Sequence, residues 1–151
     1  MNKHYTKGFS LLELMIVLAI VSFLSMLAMP SFTRFFAKAK RSEAYIQLRS
    51  LYIAEKMYFA EHGTYTTKLT GQNSLNWKPE GTPYYTYGFA QERGSTLVGS
   101  NKAPTSALTG TYANQEGFTA GATANIDTDE KTDLLVINEK GKITVVRDDL
   151  T

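Results

Sequence analysis

An unbroken apolar run near the N-terminus constrains the fold of this chain more than any other feature. All residues from 14 to 29 are apolar or small, and their only hydroxyl groups belong to Ser22 and Ser25. Extending the run to residues 9–30 adds one charge, that of Glu13. As an α-helix this stretch would be about 33 Å long, which matches the hydrocarbon thickness of a bilayer. Since the sequence after residue 36 is polar and globular in character, we expect one membrane-length helix that carries one folded domain.

Composition excludes several classes of protein. The chain has 151 residues, 43% of them hydrophobic, which suits one domain with a modest core. It contains no cysteine, so disulfides, redox CxxC sites and thiolate metal sites are excluded. The formal net charge is only +2, and we predict no specific nucleic-acid partner from so weak a basic field. Two histidines and the absence of phosphate-loop or dinucleotide motifs give no support for an enzyme.

Three kinds of segment contain an apolar run of this length: a secretory signal peptide, a plain membrane anchor and a more specialised signal. A secretory signal needs a small-residue cleavage site, but this run ends in Leu-Ala-Met-Pro without an A-x-A pattern. A plain anchor does not explain Glu13, because a charge at the bilayer centre costs about 2.5–3.5 kcal/mol. An acid in such a run is by default functional and paired with a cation. The alternative is that Glu13 lies at the interface, where the helix dipole favours an anion.

The residues around this acid carry a resemblance to a known family. Residues 7–17 read KGFSLLELMIV, and this segment resembles the type III signal of type IV pilins and pseudopilins. In that family a prepilin peptidase removes a short basic leader that ends in glycine, and the new N-terminal residue is methylated. The resemblance implies cleavage after Gly8, N-methylation of Phe9, and roles in assembly for Phe9, Glu13 and Pro30. Pro30 falls where the family has a helix-kinking proline.

The same resemblance implies an organisation and a function. Residues 1–8 would be the leader, residues 9–36 the transmembrane and filament-core helix, and residues 37–151 the globular pilin head. The chain would be a structural subunit that waits in the inner membrane as a single-pass protein and then polymerises into a helical, homo-oligomeric extracellular pilus, or fimbrium. Its partners would be prepilin peptidase, the inner-membrane assembly machinery and other copies of itself, with the membrane as reservoir. Adhesion, motility and secretion are all roles of such filaments.

Two alternatives stay open at this point. A type II secretion pseudopilin shares the whole N-terminal signal and forms a short periplasmic fibre. An enzyme or receptor on a membrane anchor would keep its leader uncut and hold a ligand pocket in the folded domain. The chain departs from the family at Ser22, where a mid-helix glycine is common. It also lacks the cysteines that close the C-terminal loop of many type IV pilins.

Helical periodicity continues after Pro30 to about His62, where Gly63 is placed to cap the helix. Apolar residues fall on two opposite faces of this part of the helix. We expect one face to pack on the domain and the other to meet neighbouring subunits or solvent. The first face comprises Ala44, Leu48, Leu51, Tyr52, Tyr58 and Phe59, and the second comprises Ile46, Ile53 and Met57.

A basic group follows the apolar run. Three environments suit it: anionic lipid headgroups, acids on a neighbouring subunit, or solvent around the helix. The sequence does not choose among them. The group consists of Arg34, Lys38, Lys40 and Arg41.

After Gly63 the apolar pattern has a period of two, which is typical of strands. A stretch rich in Ser, Thr, Ala and Gly, residues 99–115, predicts an exposed loop. Gly141 supplies a positive φ for a hairpin between the last two strands. The predicted fold is therefore α+β, with a long N-terminal α-helix (a membrane half and an amphipathic half) packed on an antiparallel sheet, as the pilin resemblance also implies. The predicted strands are residues 84–89, 95–98, 118–124, 133–138 and 143–147.

The turn before residue 133 is the one candidate for a cofactor. Residues 125–133 place oxygen ligands at alternate positions, and calcium binds six to eight such hard oxygens. We therefore consider Asp127, Asp129 and Asp133 as a candidate calcium site. The alternative is a turn in which the Asp side chains cap their own backbone.

Overall fold

The computed structural model describes residues 8–90, 94–101, 103–127 and 130–150. Within these residues one long helix precedes a six-stranded antiparallel sheet, which confirms the predicted α+β class. The chain divides into two compact units, with the boundary between Phe35 and Phe36. The elements are α1 (Leu11–His62), β1 (Thr86–Gly88), β2 (Thr96–Leu97), a short 3₁₀ helix η1 (Thr105–Ala107), β3 (Tyr112–Ala113), β4 (Phe118–Ala124), β5 (Asp133–Asn138) and β6 (Ile143–Arg147).

Helix α1 ends at His62, where the sequence predicts its end. The backbone stays helical through Pro30, although proline contributes no backbone N–H to the helical ladder. Gly63 has a φ of +69° and donates its N–H to the carbonyl of Phe59 (2.8 Å). Glycine ends the helix here because it adopts this left-handed conformation at little steric cost.

The sheet has the strand order β2-β1-β4-β5-β6, and β3 pairs with the start of β4. Strands β4, β5 and β6 have the bounds that the sequence predicts, whereas β1 and β2 are shorter than predicted. Gly141, with a φ of +73°, donates its N–H to the carbonyl of Asn138 (2.8 Å) and closes the β5–β6 hairpin. Leu134 pairs with Arg147 and Leu135 with Val145, so the register shifts by one residue and Val146 of β6 is the extra residue of a bulge.

The head half of α1 packs on the sheet through the apolar face that its periodicity predicts. Ala44, Leu48 and Leu51 are completely buried, whereas Ile46 and Ile53 on the opposite face are 68% and 58% exposed. Alanines at every second position of β4 belong to the same buried cluster as the helix residues, because alternate side chains point to one face of a strand. The larger members of the cluster are mostly aromatic and include Tyr65, Trp77, Tyr85, Tyr87, Phe89 and Phe118.

The segment of residues 99–115 is not the exposed loop that its composition predicts. It contains η1 and β3, and four of its described residues, Gly99, Ala103, Leu108 and Thr111, are buried. A Cβ added at Gly121 would lie 2.9 Å from the side chain of Leu108 and 3.0 Å from that of Thr111, so the segment covers a face of β4. The prediction was wrong because small residues, which are common in exposed loops, also let a segment pack closely on a sheet.

Candidate functional site

The N-terminal part of α1 exposes its apolar side chains. The described large hydrophobic side chains from Phe9 to the unit boundary are between 44% and 77% exposed. The hydroxyls of Ser22 and Ser25 donate to the carbonyls of Leu18 (2.7 Å) and Val21 (2.8 Å), so neither needs a water partner. The helix is therefore long and apolar enough to cross a membrane.

The residues predicted to direct processing and assembly lie at the start of this helix. Glu13 is in the first turn, Phe9 precedes the helix, and both are exposed. A Cβ added at Gly8 would meet no atom of the described residues within 4 Å, so these residues leave the backbone at the predicted cleavage point open. The side chain of Pro30 lies outside the part of the chain that the structure describes, as do residues 1–7 of the predicted leader. The functional roles of these residues stay predictions.

The head half of α1 carries a second exposed apolar surface, which we call the outer stripe (Ile46, Ile53 and Met57). These side chains are 58–68% exposed and recur at the spacing of one helix face. Single exposed apolar residues are common on protein surfaces. Three in one row are a candidate contact surface, because burial of such a row is favourable. The partner of the outer stripe stays a prediction.

Two members of the basic group bind acceptors within the chain. Lys40 donates from Nζ to the carbonyl of Ile126 (3.0 Å). Arg41 donates from Nε to Asp133 (2.9 Å), and its Nη2 bonds both Asp133 and Asp148. The expectation that the basic group faces lipid, a neighbouring subunit or solvent is therefore wrong for Lys40 and Arg41. Their acceptors are distant in sequence, so local patterns do not reveal them.

The structure gives Asp133 of the predicted calcium site another partner. Asp133 is completely buried, and its carboxylate accepts hydrogen bonds from Arg41 and from the hydroxyl of Tyr85 (2.7 Å). Asp127 is exposed, and Asp129 lies outside the described residues. In the described ranges no group of three His, Cys, Asp or Glu side chains is arranged to hold a metal ion. Calcium binding stays a prediction.

The network around Asp133 shifts the pKa values of its members. Burial lowers the pKa of Arg41, but the hydrogen bonds to Asp148 and Asp133 outweigh burial and raise the pKa above its ordinary value. The hydrogen bond from Arg41 lowers the pKa of Asp148. Burial and then the bond to Asp133 raise the pKa of Tyr85. These shifts favour a charged Arg41, an ionised Asp148 and a neutral Tyr85, and the hydrogen bonds of the network fasten α1 to β5.

Sequence reasoning misses a second acid of the helix, Glu43. Its carboxylate accepts the N–H of Tyr84 (3.0 Å) and the hydroxyl of Tyr87 (2.9 Å). Burial, together with the charge of Glu43, raises the pKa of Tyr87. Glu43 thus satisfies a backbone N–H in the segment that leads into β1. Its only signal in the sequence is its place beside Ala44 on the apolar face of the helix.

The chain matches one family model and is similar to proteins named as pilins or fimbrial proteins. Residues 3–29 match the family model described as the prokaryotic N-terminal methylation motif. The type IV major pilin protein PilA of Myxococcus xanthus is 34% identical over 122 residues, which cover 80% of this chain and 54% of that protein. A fimbrial protein of Neisseria meningitidis is 39% identical over 64 residues, covering 42% of this chain and 38% of that protein. The type IV major pilin protein PilE1 of Neisseria gonorrhoeae is 42% identical over 57 residues, covering 38% of this chain and 34% of that protein.

An N-terminal methylation motif on an apolar helix, together with a helix-on-sheet head, defines the pilin-like class of protein. Within that class, these matches support the type IV pilin and pseudopilin family. It spans about half the length of the Myxococcus pilin and about a third of the Neisseria proteins that it matches.

Replacing Arg41 by Met should lower the free energy of unfolding by about 3–5 kcal/mol, because Asp133 would remain buried without a cation. Lys38→Met, at an exposed position on the same helix, should change it by less than about 0.5 kcal/mol. Chemical denaturation of the full chain in detergent micelles measures both. Equal, small effects of the two substitutions would show that Asp133 does not depend on Arg41.

Proposed function

We propose that this chain is a structural subunit of a type IV pilus-like extracellular filament. The observation that carries the proposal is a methylation motif, residues 3–29, that runs into a helix with outward-facing apolar side chains. Similar proteins bear the names of type IV major pilins. A helix of this kind needs apolar surroundings, first the hydrocarbon of a membrane and then the helices of other copies.

Processing would convert the membrane-bound precursor into the subunit that assembles. A prepilin peptidase would cut after Gly8, and the new N-terminal residue, Phe9, would be methylated. The cut removes two of the 16 basic side chains, Lys3 and Lys7, and none of the 14 acidic ones, so the formal net charge falls from +2 to zero. Loss of these cations removes an obstacle to withdrawing the helix from the membrane, because charged groups cross hydrocarbon at high cost.

Glu13 would set the position of each subunit along the filament. In an apolar environment its carboxylate needs a cation or a proton. The amine of Phe9 lies about one helical turn before it, so an intramolecular pair is available in the membrane. In the filament, Glu13 would meet the Phe9 amine of a neighbouring copy. A subunit one step too high or too low would then bury an unpaired charge.

The outer stripe supplies the head with a surface for neighbouring copies. Its side chains lie on the face of α1 that does not contact the sheet. A contact between this face and a different surface of the next copy is heterologous, and repetition of such contacts generates an open helical polymer. The competing assembly is a type II secretion pseudopilus, which would use the same signal and helix. Long surface filaments in electron micrographs would support the pilus, and short periplasmic fibres would support the pseudopilus.

Gly8→Val should leave uncut precursor in the membrane, because a branched side chain blocks the peptidase at the scissile backbone. The space around Gly8 is open, so the substitution should not disturb the fold. Intact-mass measurement should find a wild-type protein that begins at Phe9 with one added methyl group and a variant of full length. Surface protein that retains residues 1–8 would contradict the proposal.

Glu13→Gln should spare membrane insertion and leader cleavage but reduce surface filaments at least about tenfold, the effect of losing about 1.4 kcal/mol per subunit. The amide has nearly the size of the carboxylate but no charge to pair with an amine. Glu61→Gln, at an exposed position near the end of α1, is the matched control and should assemble normally. The yield of sheared filaments measures both. Normal filaments from Glu13→Gln would reduce Glu13 to a hydrogen-bonding or packing role.

Replacing both Ile53 and Met57 by Gln should reduce filament yield while leaving the thermal midpoint of the subunit within about 2 °C of wild type, because exposed substitutions change stability by less than about 0.5 kcal/mol. Glutamine keeps the helix propensity high. Val98→Gln is the control, since Val98 is equally exposed (58%) but lies in the loop after β2. Unchanged filament yield from the double variant would show that the outer stripe faces solvent and is not needed for assembly.

A further inference from the structure

Glu55 is an acid on the inner, apolar face of α1. It is completely buried, one helical turn after the equally buried Leu51. Its Oε2 accepts the N–H of Thr66 (3.3 Å), and its Oε1 is buried without a hydrogen-bond partner in the described part of the chain. An ionised carboxylate in this setting would be very costly, whereas a protonated one is tolerated. The position therefore favours a neutral side chain.

Glu55 contacts a stretch that we call the post-helix segment (residues 63–77). This segment follows α1 without regular secondary structure, and it buries Tyr65, Leu69 and Trp77 in the core. Its Leu69 donates an N–H to the carbonyl of Gly94 (2.8 Å). Besides the bond from Gly63 to Phe59 that ends the helix, three hydrogen bonds fasten the segment to α1: Thr66 to Glu55 (3.3 Å), Lys56 to Tyr65 (2.9 Å), and Trp77 to Ser50 (2.9 Å).

The charge state of Glu55 depends on its burial more than on other charged groups. Burial raises the pKa of Glu55 to about 8, and the N–H of Thr66 opposes this only in part. Four ionisable groups lie around this part of the head: Lys56 and Tyr52 on the same helix, Tyr65 on the post-helix segment, and Glu139 at the β5–β6 turn. The last three act on Lys56, and none of the four contributes to the pKa shift of Glu55.

We propose that Glu55 is a proton-dependent latch that holds the post-helix segment on α1. The protonated side chain fits the buried position, and its remaining oxygen accepts the Thr66 amide. Once ionised, the carboxylate needs water, which it reaches when residues 63–77 lift from the helix. The latch is a property of the head alone and does not depend on filament assembly.

The direction of the pH effect follows from proton linkage. The closed segment keeps the proton on Glu55 up to about pH 8, whereas an opened segment releases it near the ordinary value of 4.5. Opening therefore becomes more favourable as pH rises between these values, by up to about tenfold per pH unit, and levels off above them. The closed form of the latch is therefore more populated at neutral pH than at alkaline pH.

Hydrogen exchange of the full chain in detergent micelles tests the latch. Peptides from residues 63–77 should lose protection between pH 6 and pH 8, after correction for the intrinsic exchange rate, while peptides from β4 and β5 keep theirs. Glu55→Gln should make the protection of the segment independent of pH. Glu61→Gln, on the exposed surface of the same helix, should keep the wild-type profile.

Infrared spectroscopy supplies a second readout. The wild type should show a protonated carboxyl band at neutral pH that is lost with a midpoint near 8 and is absent from Glu55→Gln. Glu55→Met, which is also neutral, replaces the Gln variant if that one fails to fold. Three results would overturn the proposal: the same pH profile in wild type and neutral variant, exchange that rises equally through the sheet, or a carboxyl that titrates near its ordinary value.

Discussion

The head of this pilin depends on the compensation of one buried charge. Asp133 begins β5, has no contact with water, and is held by a guanidinium and a phenol. A buried carboxylate without such partners would destabilise the fold by several kcal/mol. Arg41 therefore has to lie where it does, and this fixes the rotation and height of the helix on the sheet. Burial of the apolar face of α1 stabilises the contact between helix and sheet, and the ion pair selects a single register for that contact.

The head buries two acids in different ways. Asp133 on β5 is paired with Arg41 of α1, whereas Glu55 on α1 has one backbone donor and its position favours the neutral form. Polar contacts also fasten the C-terminal residues, where many type IV pilins have a disulfide. Asp148 pairs with Arg41, and Asp149 accepts the N–H of Ile126 (2.8 Å). A chain without cysteine thus holds its last strand in place through bonds that respond to pH and salt, not to redox conditions.

Local pattern was enough to predict the helix and the main strands of the fold, but not η1, β3 or the bonds between elements. The end of α1, the two faces of its head half and strands β4 to β6 follow from periodicity and from glycines at 63 and 141. The partners of Arg41 are 92 and 107 positions away, so no local window contains them. Residues 99–115 were misjudged for the same reason, because the sheet face that they cover is built from other parts of the chain. The motif at Gly8, Phe9 and Glu13 can be found from the sequence alone, because its residues are close together in the chain.

The two exposed apolar surfaces, the N-terminal part of α1 and the outer stripe, differ in their proposed environment before assembly. In the proposed topology lipid covers the N-terminal helix, so its transfer into a helical bundle would exchange one apolar environment for another and release little hydrophobic free energy. The outer stripe lies on a head that lipid does not cover in the proposed topology, and it stays in water until another copy meets it. Assembly would bury Ile46, Ile53 and Met57 and would therefore release hydrophobic free energy. In the proposed filament, the N-terminal helix would supply register through Glu13, and the outer stripe would supply hydrophobic driving force.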